Sequence, residues 1–236
     1  MAESFREFLR CYVRARPWTP ELALFVVVLV LSFGALQGDP FSLDVPLGEA
    51  IQSWQLPLLD PVLHGVSAIG WFRIAAPTTI AVVVLLGVLG WRQEAVVLAA
   101  AALFGHLLNQ ALKALIARPR PALPAEEMAA LGVDTFAFPS GHAQSFTIFY
   151  GFLALLFWQN ARQPWVRGVG AACMLTMIAL VGISRVYLGV HWPSDVIGAY
   201  CIGILWLQLW TRAQRAWSAA RGHRGEESFA PGRRQQ

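Results

Sequence analysis

Charge is scarce in this sequence. Lys, Arg, Asp and Glu make up 14% of the 236 residues, hydrophobic residues make up 56%, and the mean hydropathy is +0.52. That balance excludes an ordinary soluble domain and describes an integral membrane protein. Acids are scarcest in the second half, where Asp195 is the only carboxylate between Asp134 and Glu226. Lysine is almost missing: Lys113 stands alone among the 18 Lys and Arg residues. The three cysteines, Cys11, Cys173 and Cys201, have no metal-type spacing, so neither a disulfide framework nor a zinc site is expected. No cluster of Asp, Glu and His offers ligands to a divalent cation, and the predicted chemistry needs no metal or other cofactor. No internal repeat or second domain is legible.

What is present is a series of charge-free apolar runs: Leu22–Gly38, Ile74–Trp91, Ala95–Leu112, Ala143–Ala161, Gly168–Ser184 and Val196–Thr211. Each approaches the ~17–25 residues that cross the hydrocarbon as a helix. The sequence therefore predicts an all-α membrane protein with six transmembrane helices. The net charge of +4 sits mostly in the terminal segments and the short gaps, as in loops facing an anionic cytoplasmic leaflet, and does not indicate nucleic acid. With both termini cytoplasmic, only Arg73, Lys113, Arg118, Arg120 and Arg185 fall outside. Residues 1–20 read as an amphipathic cytoplasmic segment, 21–211 as the six-span domain, and 212–236 as a basic, partly disordered cytoplasmic tail. The Asp39–Arg73 segment, broken by Pro40, Pro46, Pro57 and Pro61, predicts short helices along the outer interface.

Three polar stretches fall on that same outer side. The first closes the third span, from Lys113 to Arg120-Pro121. Lys113 read alone could be a snorkelling anchor. Pro119 and Pro121 end the helix and hold Arg120 on a stiff turn, as suits a bidentate guanidinium clamp on phosphate. Arg118 reads as a solvated neighbour or a further contact. The second stretch, Pro139-Ser140-Gly141-His142, opens the fourth span. It offers a capping serine, a glycine permitting close backbone approach, and unpaired N–H groups at a helix mouth, which together make an anion site. His142 there is a candidate for acid–base work.

The third stretch runs from Ser184-Arg185 to His191 and Asp195. A lone acid in membrane-embedded sequence is a functional-site hypothesis by default. Pro193 suits the first turn of the sixth helix, which puts Asp195 just inside it and His191 just before it. Asp195 can then accept from one imidazole nitrogen and leave the other free to attack. Arg185 is a third cationic contact. Trp192 and Tyr187 read as interfacial aromatics, and His106 as a buried hydrogen-bonder between helices.

Taken together, Lys-x6-Arg-Pro, Pro-Ser-Gly-His and Ser-Arg-x5-His-x3-Asp resemble the signature of the type 2 phosphatidic acid phosphatases, the integral-membrane lipid phosphate phosphatases. The three patterns occur in order over residues 113–195. The resemblance implies phosphoryl transfer through a phosphohistidine, with His191 as nucleophile, Asp195 as its orienting partner and His142 as acid then base. Lys113, Arg120, Ser140, Gly141 and Arg185 would hold the phosphate oxygens. The implied substrate is a membrane lipid phosphate or diphosphate, such as a polyprenyl diphosphate, phosphatidylglycerophosphate or phosphatidate. The implied location is a bacterial inner membrane with the site facing the periplasm or exterior. Three other readings share the motifs: a lipid phosphotransferase, a vanadate haloperoxidase, and a non-catalytic protein that binds anionic lipid. The apolar spans argue against the second, and the histidine–aspartate pair argues against the third.

Overall fold

The computed structural model describes residues 19–54, 56–121 and 136–227, and every described element is helical. The expected N-terminal amphipathic helix (except residues 19–20), residues 122–135 of the Ala122–Phe138 loop and residues 228–236 lie outside the described residues. In chain order the helices are α1 (Thr19–Ala35), α2 (Asp44–Gln52), α3 (Leu59–Ile69), α4 (Phe72–Val88), α5 (Arg92–Ile116), α6 (Gly141–Asn160), α7 (Pro164–Tyr187) and α8 (Pro193–Glu227).

Among the described residues, α5, α7 and the Pro193–Ser218 part of α8 are each long and apolar enough to cross a membrane. A fourth span results if α3 and α4, which meet at a 64° bend, are counted as one. The chain is thus a multi-pass membrane protein. Helix α1 overlaps the first apolar run but is shorter than the three spanning helices, and α6 follows the fourth run with Gln144 and Thr147 buried inside it. Large apolar side chains such as Phe25, Phe33, Val84, Leu103 and Leu175 stay exposed, as expected of surfaces meeting lipid.

Helix boundaries follow local chemistry. Helix α5 stops at Ile116 because Ala117 turns left-handed (φ 50°), its N–H closing on the Lys113 carbonyl at 2.8 Å. Pro119 and Pro121 follow and forbid a resumption. Helix α8 opens on Pro193, where the missing N–H would have had no partner. It continues well past Thr211, where the apolar run ends, because Arg, Gln and Ala propagate a helix as readily as Leu does.

The centre of the bundle is α6, packed along α7, α8 and α5, with α4 lying along α5 and α1 along α8. Between membrane helices, close approach through small residues replaces the hydrophobic drive. Gly182 of α7 shows this: a Cβ there would strike the Tyr200 hydroxyl and come within 2.7 Å of Val196 on α8. That hydroxyl donates to the Ile178 carbonyl at 2.6 Å and locks the approach. At the end remote from the motif stretches, Arg212 of α8 pairs with Glu21 of α1, and Gln214 donates to Glu94 of α5 at 3.2 Å. Helices α2 and α3 do more than lie along the interface. Asp44, Leu63, Val66 and Ser67 are buried, and both helices pack against α7.

Candidate active site

Three helix ends converge on one cavity of about 370 Å³. The last turn of α5 brings Lys113, the Pro-bounded turn after it brings Arg120, the mouth of α6 brings Gly141 and His142, and the α7–α8 junction brings Arg185 and His191. Ser140, the residue before α6, adjoins this wall fully buried, and Asp195 lies behind His191 with no exposure. Every residue that the motif stretches nominated is therefore in or directly behind the cavity.

Burial decides how these groups behave. Lys113 is buried, and its Nζ donates to the Phe136 carbonyl at 2.6 Å. Arg185 is fully buried and donates to the Ser67 hydroxyl of α3. Half-buried Arg120 donates to the Val190 carbonyl at 2.5 Å, and the same nitrogen stands 3.2 Å from His191 Nε2. A guanidinium can only donate, so this contact requires an unprotonated Nε2 and places the ring proton on Nδ1. Burial, followed by the positive charges of Arg120, Lys113 and Arg185, holds the His191 imidazole well below the usual histidine pKa. Both effects favour the neutral ring.

Ser140 occupies the N-cap position of α6, but its hydroxyl does not cap the helix as expected. Its Oγ is buried without a hydrogen-bond partner among the described residues, as is Nε2 of His142. Both are groups that a phosphate oxygen or a leaving group would satisfy. The His142 ring fills the space beside Gly70, where a Cβ would collide with it. This close approach explains the glycine at the bend between α3 and α4.

Two participants were not predicted. Arg118, read as a solvated neighbour or a further contact on the phosphate, has no exposure at all and is tied instead to two buried acids. Its Nη1 donates to Asp195 Oδ1 at 2.6 Å and to Ser194 Oγ at 2.8 Å, and its Nη2 donates to Asp44 Oδ2 at 2.9 Å. Asp44, from the first turn of α2, also accepts from the Ser194 N–H at 2.8 Å and the Ser194 hydroxyl at 2.7 Å. Buried charges persist only when paired in this way. Asp195 Oδ2 accepts the Trp192 N–H at 2.9 Å and lies 3.5 Å from His191 Nδ1, within ion-pair range but not aligned as a hydrogen bond. Trp192 is part of the same structure, not only an interfacial aromatic: its ring covers Arg118 at 5.9 Å, and its Nε1 donates to the Pro119 carbonyl at 3.2 Å. The sequence signal for Arg118 was its place between two charge-poor runs beside Pro119; Asp44 had no signal beyond being an acid at a helix start. His106 is likewise not buried between helices, because it is exposed and lines the cavity.

In this helical membrane domain two histidines stand among three cations, one histidine backed by a buried acid, and such a set of groups can hold a tetrahedral anion beside a nucleophile. The PAP2 superfamily model matches residues 94–219, and the chain belongs to that superfamily. The chain is 29% identical to phosphatidylglycerophosphatase B of Bacillus subtilis over 187 residues, covering 78% of this chain and 89% of that protein. It is 33% identical to the decaprenylphosphoryl-5-phosphoribose phosphatase of Mycobacterium tuberculosis over 145 residues, covering 59% of this chain and 68% of that one. Among solved structures, it shares the fold of the transmembrane PAP2-type phosphatidylglycerolphosphate phosphatase of Bacillus subtilis. The TM-score is 0.65 at 24% identity, over 91% of this chain and 98% of that one.

Proposed function

We propose that this protein is a lipid phosphate phosphatase that hydrolyses a lipid phosphate monoester or diphosphate, without a metal, through a phosphohistidine. The observation that carries the reading is the placement of the His191 imidazole, with Nε2 at 3.2 Å from Arg120 at the cavity and Nδ1 at 3.5 Å from Asp195 behind it. Lys113, Arg120 and Arg185, with the Ser140 hydroxyl and the N–H groups at the mouth of α6, would hold the non-bridging oxygens. Nε2 attacks phosphorus and the bond to the lipid oxygen breaks. His142, protonated in the complex where the negative charge of the bound phosphate offsets the cations around it, gives that proton to the leaving oxygen. His142 then takes a proton from water as the water attacks the phosphohistidine, releasing inorganic phosphate and restoring His191. Asp195 keeps the ring in the attacking tautomer and stabilises its positive charge as the N–P bond forms. The relatives' names support polyprenyl, glycerophospholipid or sugar-lipid phosphates as the substrate class.

The proposed topology has six spans, formed by α1, α4, α5, α6, α7 and α8. Both termini are cytoplasmic and the site faces the periplasm of a bacterial inner membrane, a reading supported by the distribution of basic residues. A reporter fused to the C-terminus should read cytoplasmic; a periplasmic signal overturns the topology. Purified protein in detergent with EDTA should release phosphate from lipid phosphates. His191→Ala should lower turnover by at least about 10³-fold while the protein stays folded. Appreciable activity in that variant, or a strict requirement for added Mg²⁺, would overturn the mechanism.

A further inference from the structure

The cavity has two polar tiers. The outer tier is cationic: Lys113, Arg120 and Arg185 surround the histidines. The inner tier is uncharged in composition apart from one histidine, and the phosphoryl-transfer mechanism does not use it. Gln110 and His106 precede Lys113 on α5 by three and seven residues, so they share its face about 4.5 and 10.5 Å deeper along the helix. Ser145 lies one turn into α6 from Gly141. All three side chains are exposed, line the cavity, and have no hydrogen-bond partner among the described residues. The facing wall is apolar and aromatic. It comprises Trp71, Phe72 and Ala75, and the Phe72 ring stands 5.5 Å from the His106 ring, tilted by 36°. Nε1 of Trp71 is shielded from solvent and also lacks an acceptor among the described residues.

Polar side chains open to a cavity are met by water or by a ligand, and a shielded donor such as Trp71 Nε1 is costly until an acceptor meets it. A prenyl diphosphate would set both phosphates among the outer cations and lay bare hydrocarbon across Gln110, His106 and Ser145. A hydroxylated carbon skeleton would satisfy them. Gln and Ser both donate and accept, as do the hydroxyl groups they would meet. The spacing of the tiers suits a short polyol between the scissile phosphate and the lipid-bearing group.

Resting on the phosphatase reading above, we propose that Gln110, His106 and Ser145 form a subsite for an uncharged polyol linker. The preferred substrate is then a phosphomonoester on a glycerol or sugar unit that keeps a free hydroxyl, not a phosphate on a fully acylated glycerol or a diphosphate joined directly to a hydrocarbon chain.

The test is kcat/KM for phosphate release by the full-length protein in detergent on four substrates. These are phosphatidylglycerophosphate, a prenyl-phosphoryl pentose 5-phosphate, phosphatidate with matched acyl chains, and farnesyl diphosphate. The wild-type protein should favour at least one of the first two over both others by about tenfold or more, and the favoured one identifies glycerol or sugar. Gln110→Leu and His106→Leu should each reduce that preference by about three- to tenfold, the loss of one or two neutral hydrogen bonds. Phosphatidate turnover in the same preparations reports whether each variant is folded. Equal losses on all substrates, or a wild-type protein without the preference, overturn the subsite while leaving the hydrolase reading intact. A wild-type protein silent on every substrate overturns both.

Discussion

Each oxygen of Asp195 has its own set of neighbours. Oδ1 accepts from Arg118, while Oδ2 accepts the Trp192 N–H and faces His191. The acid is therefore fixed by two donors before it acts on the imidazole, and Arg118 is fixed in turn by Asp44. Replacing Asp44 by Asn removes one charge from this chain and leaves a similar shape. The expected result is a fall in kcat of about tenfold, as for weakening a charged hydrogen bond, with KM changed little. A rise in KM at constant kcat would instead place Asp44 in substrate binding. The second prediction concerns protons. Because burial and the surrounding cations hold His191 below its ordinary 6.5, the neutral nucleophile persists into mildly acidic solution. The acid limb of kcat/KM should accordingly lie below about pH 6.5. Removing one of those cations makes protonation easier, so Arg120→Gln should move the limb to higher pH as well as weaken phosphate binding. A limb that stays in place or moves down would show that another group sets it.

At the scale of elements, the bend between α3 and α4 sets the position of His142. A Cβ at Gly70 would enter the space of the His142 ring, whereas a Cβ at Gly65, one turn earlier in α3, meets nothing within 4 Å. Gly70→Ala should slow turnover substantially and Gly65→Ala should not. Equal rates in the two variants would mean that the ring adjusts without loss. Much of this layer was legible in the sequence. Pro119 marks the end of α5 and Pro193 the start of α8, because proline acts on the backbone locally. The motif stretches could be grouped together because each lies at the edge of an apolar run, and one cavity gathers them. Pairings across the chain were not legible. Nothing near Arg118 points to Asp44, 74 residues earlier, and the contact exists only because α2 packs back on the bundle. The facing of His106 was equally hidden, since on a helix surrounded by apolar residues periodicity does not separate lipid, cavity and neighbour.

At the scale of the whole molecule, the superfamily match begins at residue 94, yet the support of the site does not. Asp44 and Ser67, from the segment before that match, hold Arg118 and Arg185. A chain beginning at Arg92 would remove Asp44 from Arg118, at about 3–5 kcal/mol for a broken buried pair, and the Ser67 hydroxyl from Arg185. Such a truncation should be inactive and melt earlier, and full activity from it would show that α2 and α3 are dispensable.

The same tie has a consequence for how the protein is made. Arg118 lies between an acid from α2 and an acid from α8, and Glu21 of α1 meets its arginine only in α8. While ribosomes are still feeding the middle helices into the membrane, Arg118 has one of its two carboxylates and Arg212 has not yet been made. The Asp195 side of the cavity therefore forms only with the insertion of α8. In a pulse-chase experiment, a chain stopped at Gly189 should be cleared several-fold faster than the full chain; equal half-lives would mean that insertion order does not matter.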